Sequence, residues 1–193
     1  DALPIFVISL GGIGSFDGGA GMLQALGATF YDDEAQIVDM RKGAYLIKYI
    51  RRIDLSGVHP QLTKVNIQLM SDFSSRLYGK KSEIMQTYES LDLSQNEAAE
   101  IDNLIWYFSE LFKNELKIAM GPIERGGAGG GIAAVLNSLY QAEILTSHEL
   151  VNQITHLENL IQQADLIIFG EGLKEEDQIL ETTTIRIAED RKS

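Results

Sequence analysis

The sequence predicts an α/β fold, a mainly parallel sheet flanked by helices on both faces, in one domain over residues 1–193. Three observations predict it. Short apolar runs of strand length alternate with longer runs of helical periodicity. Each strand-like run is apolar throughout rather than at alternate positions, as in strands buried on both faces. Hydrophobic residues make up 45 % of the chain, enough for a sizeable core.

The elements follow in order. PIFVISL, Pro4 to Leu10, is a β-branched apolar run stopped by Gly11-Gly12 and reads as a buried strand. GGAGMLQALGA reads as a helix, with Asp17 placed to cap it and Gly27 to end it. VNIQLM, Val65 to Met70, is a second strand, closed by the polar SDFSS. From Ser94 to Lys117 the pattern is a long helix. Ser94 and Glu97 form a capping box, and Ile101, Leu104, Ile105, Phe108, Leu111 and Phe112 share one face. Ala128 to Leu139 and Ser147 to Gln162 are two more helices. ADLIIFGEG, Ala164 to Gly172, is a third strand running into a glycine loop.

Composition removes several function classes. The net charge of −12 disfavours nucleic acid and anionic membrane surfaces as partners. No cysteine is present, which excludes disulfides, thiolate metal sites and a cysteine nucleophile, and fits a cytoplasmic protein. No apolar run reaches the roughly 18 residues that span a bilayer. His59, His148 and His156 are scattered, without the spacing of a metal pair.

Three strand ends carry the candidate chemistry: ISLGGIGSFDGGAG, IQLMSDFSSRLYG and IIFGEGLKEED. Ligands of open parallel sheets bind at the carboxyl ends of the strands. If the three are neighbours, Asp17, Asp72 and Glu171 converge on one cleft. Gathered carboxylates suit Mg²⁺ held with a phosphate ester, or a general base for a hydroxyl. Read from spacing alone, a helix cap or a solvated loop acid is the favoured reading of each. A second candidate is the run from Gly126 to Gly131, with glycine at 126, 127, 129, 130 and 131, opening a helix. Backbone N–H groups at such an entry can hold a phosphate. The run fits neither the P-loop nor the dinucleotide fingerprint, so an anion site and a plain helix entry both stand.

These stretches also carry a likeness. GGIGSFDGGAGMLQALGATF resembles the GGSATNDGGAGMLQALG of the glycerate kinase family, the two-domain α/β kinases that phosphorylate D-glycerate. RIDLSGVHPQL is similar to that family's RIDLSGLDPRL, and SDFSSRLYGK to its CDVTNPLYGK. GGAGGGIAA and ADLIIFGEG match its GAAGGLGAA and ADLVITGEG in the same order, from about Ile5 to Ala188. The resemblance implies transfer of the γ-phosphoryl of ATP, with Mg²⁺, to a hydroxyl of glycerate. It implies catalytic roles for Asp17, Asp72 and Glu171, with Asp72 also a metal ligand. It implies phosphate binding by Gly126, Gly127, Gly129, Gly130 and Gly131, and substrate contacts from Gly11, Gly12, Ser15, Ser74 and Lys80.

The departures from the pattern matter as much. Phe16 stands where the family has Asn before its first Asp, and Ser74-Ser75-Arg76 where it has Thr-Asn-Pro. Tyr88 to Leu93 replaces GPQKGA, and LKEEDQILETTTIR follows Gly-Glu-Gly without the family's Arg-Ile-Asp and Gly-Lys. Acids in place of a phosphate-facing Lys or Arg repel ATP. Lys80, Lys81 and Arg125 are the remaining candidates for that charge. The family's terminal segments have no counterpart, so the chain is expected to be the central part of such a kinase. Three readings stay open: a divergent kinase, an inactive relative binding a nucleotide or small anion, and a fragment with an assembly role. Apolar surface left bare by missing segments predicts a homodimer.

Overall fold

Strand-forming Ile5–Ser9 (β1) opens the fold in this computed structural model, which describes residues 4–12 and 15–168. There follow α1 (Ala20–Ala25), β2 (Thr29–Tyr31), β3 (Arg52–Asp54), β4 (Asn66–Met70), α2 (Glu83–Thr87) and α3 (Gln95–Leu116). Next come α4 (Ile132–Tyr140), β5 (Glu143–Leu145), α5 (Ser147–Thr155) and α6 (Leu157–Gln163). The chain divides into two units, Asp1–Ile144 and Leu145–Ser193, at a point the sequence does not mark.

The main sheet has the order β1-β4-β5. β1 and β4 are parallel, with Ile5 opposite Asn66 and Ser9 opposite Met70. Their carboxyl ends therefore lie side by side, and Leu10 N–H still donates to Met70 O at 2.9 Å. α4 covers one face of β4. Ala133 and Leu136 pack there with Ile67, Leu69 and Leu10. β1 differs from its expected burial. Ile5, Phe6 and Val7 are 64, 58 and 45 % exposed, because β1 is an edge strand and only its last residues reach this cluster. β2 and β3 form a separate antiparallel pair that the sequence reading did not foresee.

The larger core lies among the helices. α3 begins with the expected capping box, Ser94 accepting from Glu97 N–H and Glu97 from Ser94 N–H. Its Ile105, Phe108 and Phe112 are buried with Phe30 of β2, Leu23 of α1 and Val135 of α4. Phe108 meets Phe30 and Phe112 edge to face, at centroid distances of 5.8 and 5.0 Å. Arg51 and Arg52 are engaged locally. Arg51 donates to Tyr107 Oη at 2.8 Å, and Arg52 stacks on Tyr31. RIDLSG serves packing: Asp54 accepts from Ser56 N–H, and Gly57 crosses Gly27 so closely that a Cβ on either would strike the other's carbonyl.

In the second unit the expected single helix from Ser147 to Gln162 is two. His156 turns left-handed at φ 54° and separates α5 from α6. Asn152 and Glu158 clamp the break, Asn152 Oδ1 accepting from Glu158 N–H at 2.9 Å. His148 and His156 thus do not share a helix. The expected strand from Ala164 to Gly172 forms no strand through Ile168, and its remaining residues lie outside those described.

Candidate active site

The Asp17 carboxylate shapes the first loop. Oδ1 accepts from Gly19 N–H at 2.9 Å, and Oδ2 from Gly21 N–H at 2.8 Å. Both oxygens therefore meet donors that open α1, and Asp17 is only 9 % exposed. Gly18 and Gly19 turn left-handed to let the chain wrap this carboxylate.

The glycine run packs against that loop. Gly18 N–H donates to Gly130 O at 2.9 Å. A Cβ on Gly130 would run into the Ser15 carbonyl, and Gly130 also needs a positive φ of 62°. Gly129 and Gly131 turn left-handed as well, and Gly131 leads into α4. Residues 126–131 are all buried. The glycines thus permit one backbone to cross another.

The loop after β4 meets the same run at Gly127. Gly127 N–H donates to Ser75 O at 3.3 Å, and a Cβ on Gly127 would strike the Arg76 carbonyl. The Ser75 hydroxyl faces Gly127, is 2 % exposed, and has no hydrogen-bond partner among the described residues. From α2, Glu83 reaches into the run, and its Oε2 accepts from Gly130 N–H at 3.1 Å. Burial pushes the Glu83 carboxyl above its ordinary value, opposed by the N–H groups of Gly130 and Gly129.

The fold thus joins three of the stretches singled out in the sequence. The first loop and the SDFSSRLYG loop leave adjacent parallel strands, and the glycine run touches both. Gly11 and Gly12 are exposed at the end of β1, with open space around them. Asp72 is exposed two residues beyond β4, and Ser74 and Lys80 are exposed on the same loop. Ser15 is half-buried under Gly130. Glu171 lies outside the described residues. Glu83 escaped the sequence reading. A Glu in the first turn of a helix ordinarily complements the helix dipole, and its partner is 47 residues away. Phe16, where the family has Asn, packs partly buried against the helical core.

The family model for the glycerate kinase family matches residues 3–193. A glycerate kinase of Halalkalibacterium halodurans is 30 % identical over 96 % of this chain and 48 % of its own length. The glycerate 2-kinase of Escherichia coli K12 is 31 % identical over 86 % of this chain and 43 % of its own length. A crystal structure provisionally described as glycerate kinase 2 from Salmonella typhimurium LT2 superposes with a TM-score of 0.83 at 28 % identity. The match covers 97 % of this chain and 50 % of that one. The chain spans about half the length of the curated relatives it matches. The family model, the relatives and the fold agree, and the chain belongs to the glycerate kinase family.

Proposed function

We propose that this chain carries the phosphoryl-transfer site of an ATP-dependent kinase acting on a hydroxyl of glycerate. One observation carries the reading: the glycine run is hydrogen-bonded to both loops that leave the carboxyl ends of β1 and β4. Such a junction is where open parallel sheets bind ligands. The N–H groups of Gly126, Gly127, Ala128 and Gly131 are taken by backbone carbonyls, and those of Gly129 and Gly130, which meet the Glu83 carboxylate, are the ones suited to an anion's oxygens. Asp17 is a positioning residue, because both its oxygens hold the first loop. Asp72 is the exposed carboxylate that faces substrate and metal.

The donor set fits Mg²⁺ of the kind that accompanies a nucleotide. Among the described residues no three His, Asp or Glu side chains gather into a cage. Mg²⁺ commonly takes one or two carboxylates, several waters and substrate phosphate oxygens, and Asp72 suits that role. When bound, the ion would neutralise charge developing on the transferred phosphoryl group. Glu171 enters the proposal through the family resemblance alone. No helix among the described residues is long and apolar enough to cross a membrane. The bare Ile5, Phe6 and Val7 of β1 offer a surface for self-association, and light scattering should report a dimer.

The test is ADP release by the full-length protein with Mg-ATP, with and without D-glycerate. Glycerate-dependent release is expected. Stabilisation by Mg-ATP without turnover would instead favour the inactive, ligand-binding relative.

A further inference from the structure

Glu83 brings a carboxylate to the backbone of the glycine run. Its carboxylate accepts from Gly130 N–H at 3.1 Å, inside a run with three consecutive left-handed glycines. A carboxylate on backbone N–H groups uses the same charge-assisted bonds that a phosphate oxygen would use. The second observation is independent of it. The Ser75 hydroxyl, 2 % exposed and facing Gly127, has no partner among the described residues. Buried hydroxyls without partners are uncommon and costly. This one is a hydroxyl held against the run at Gly127.

We propose that Glu83 is an internal occupant of the glycine run's oxyanion site, and that it sets how tightly this chain holds phosphate. The inference rests on the reading of the run as a phosphate-binding element. Glu83 lies on the short α2, only partly buried. A phosphate entering the run must displace its carboxylate from Gly130 and meets its negative charge nearby. Wild-type protein therefore binds phosphate weakly, and removing the carboxylate opens the site.

The test is calorimetric titration of inorganic phosphate into the full chain, compared across wild type, Glu83→Gln and Glu83→Ala. Both variants should bind phosphate at least about tenfold tighter than wild type, the worth of one charge-assisted hydrogen bond. Adding Ser75→Ala to Glu83→Gln should cancel much of the gain. A purely structural Glu83, tying α2 to the run, predicts lower melting temperatures with no gain in phosphate affinity, and that result overturns the proposal. If the variants do not fold, phosphate titrated into ¹⁵N-labelled wild type should move the Gly130 amide at high concentration. An unmoved amide would overturn it equally. Neither readout involves ATP or glycerate. A gain in phosphate affinity without turnover would keep this proposal and remove the kinase reading.

Discussion

The helical core and the edge strand β1 both present large apolar side chains, yet these end in opposite surroundings. Phe30, Phe108 and Phe112 are fully buried, whereas Ile5, Phe6 and Val7 of β1 are 64, 58 and 45 % exposed. The difference teaches that an apolar run records a need for a cover and leaves the cover unnamed. α3 finds Phe30, Leu23 and Val135 in its own chain. β1 finds β4 along one edge.

Substitutions can break or sharpen that contrast. Phe108→Ala should have the largest effect, about 3–5 kcal/mol in denaturant unfolding, because the ring is fully buried between two others. A loss under about 1 kcal/mol would mean the core is looser than drawn. Gly130→Ala should cost about 1–3 kcal/mol through overpacking against the Ser15 carbonyl. It should also abolish any ADP release, since the crossing holds the two loops together. Asp17→Ala removes the acceptor of two N–H groups and should cost about 0.5–2 kcal/mol, the usual worth of a helix cap. At the other extreme, Phe6→Thr on β1 should change stability by no more than about 0.5 kcal/mol. A large loss there would show that β1 is covered in solution.

A pH series sharpens the site end of the comparison. The Glu83 carboxyl titrates above its ordinary value of 4.5 in the fold. Its contribution to stability is therefore full below pH 4.5 and is lost as pH rises through the folded value. The melting temperature of wild type minus that of Glu83→Gln should fall from pH 4.5 toward neutrality. A difference flat across that range would mean that Glu83 is as well solvated folded as unfolded.

Much of the fold was legible because its signals are local. The capping box of Ser94 and Glu97, the α3 face and the Asp17 cap depend on spacings of a few residues. The loops of the site could be picked out for the same reason, as glycines and acids at strand ends. What escaped depends on distant partners. The β2–β3 pair joins Phe30 to Ile53 across a long loop. Its short strands carry too few residues for a clear period. Glu83 reads as an ordinary first-turn acid until Gly130 is brought to it. The break at His156 is held by Asn152 and Glu158, polar residues that fit a continuous helix equally well. The glycine run was recognised, while its close contact with Ser15 and Arg76 was not, since nothing in a glycine says which backbone it must admit.

The measurement that bears most directly on the central claim is the initial rate of ADP release by the full-length protein with Mg-ATP. It would be read with and without D-glycerate, beside Asp72→Asn. The account predicts release that requires glycerate and disappears in Asp72→Asn, with the variant still folded, as its melting curve would show. Release that ignores glycerate, or turnover that survives in Asp72→Asn, would contradict it.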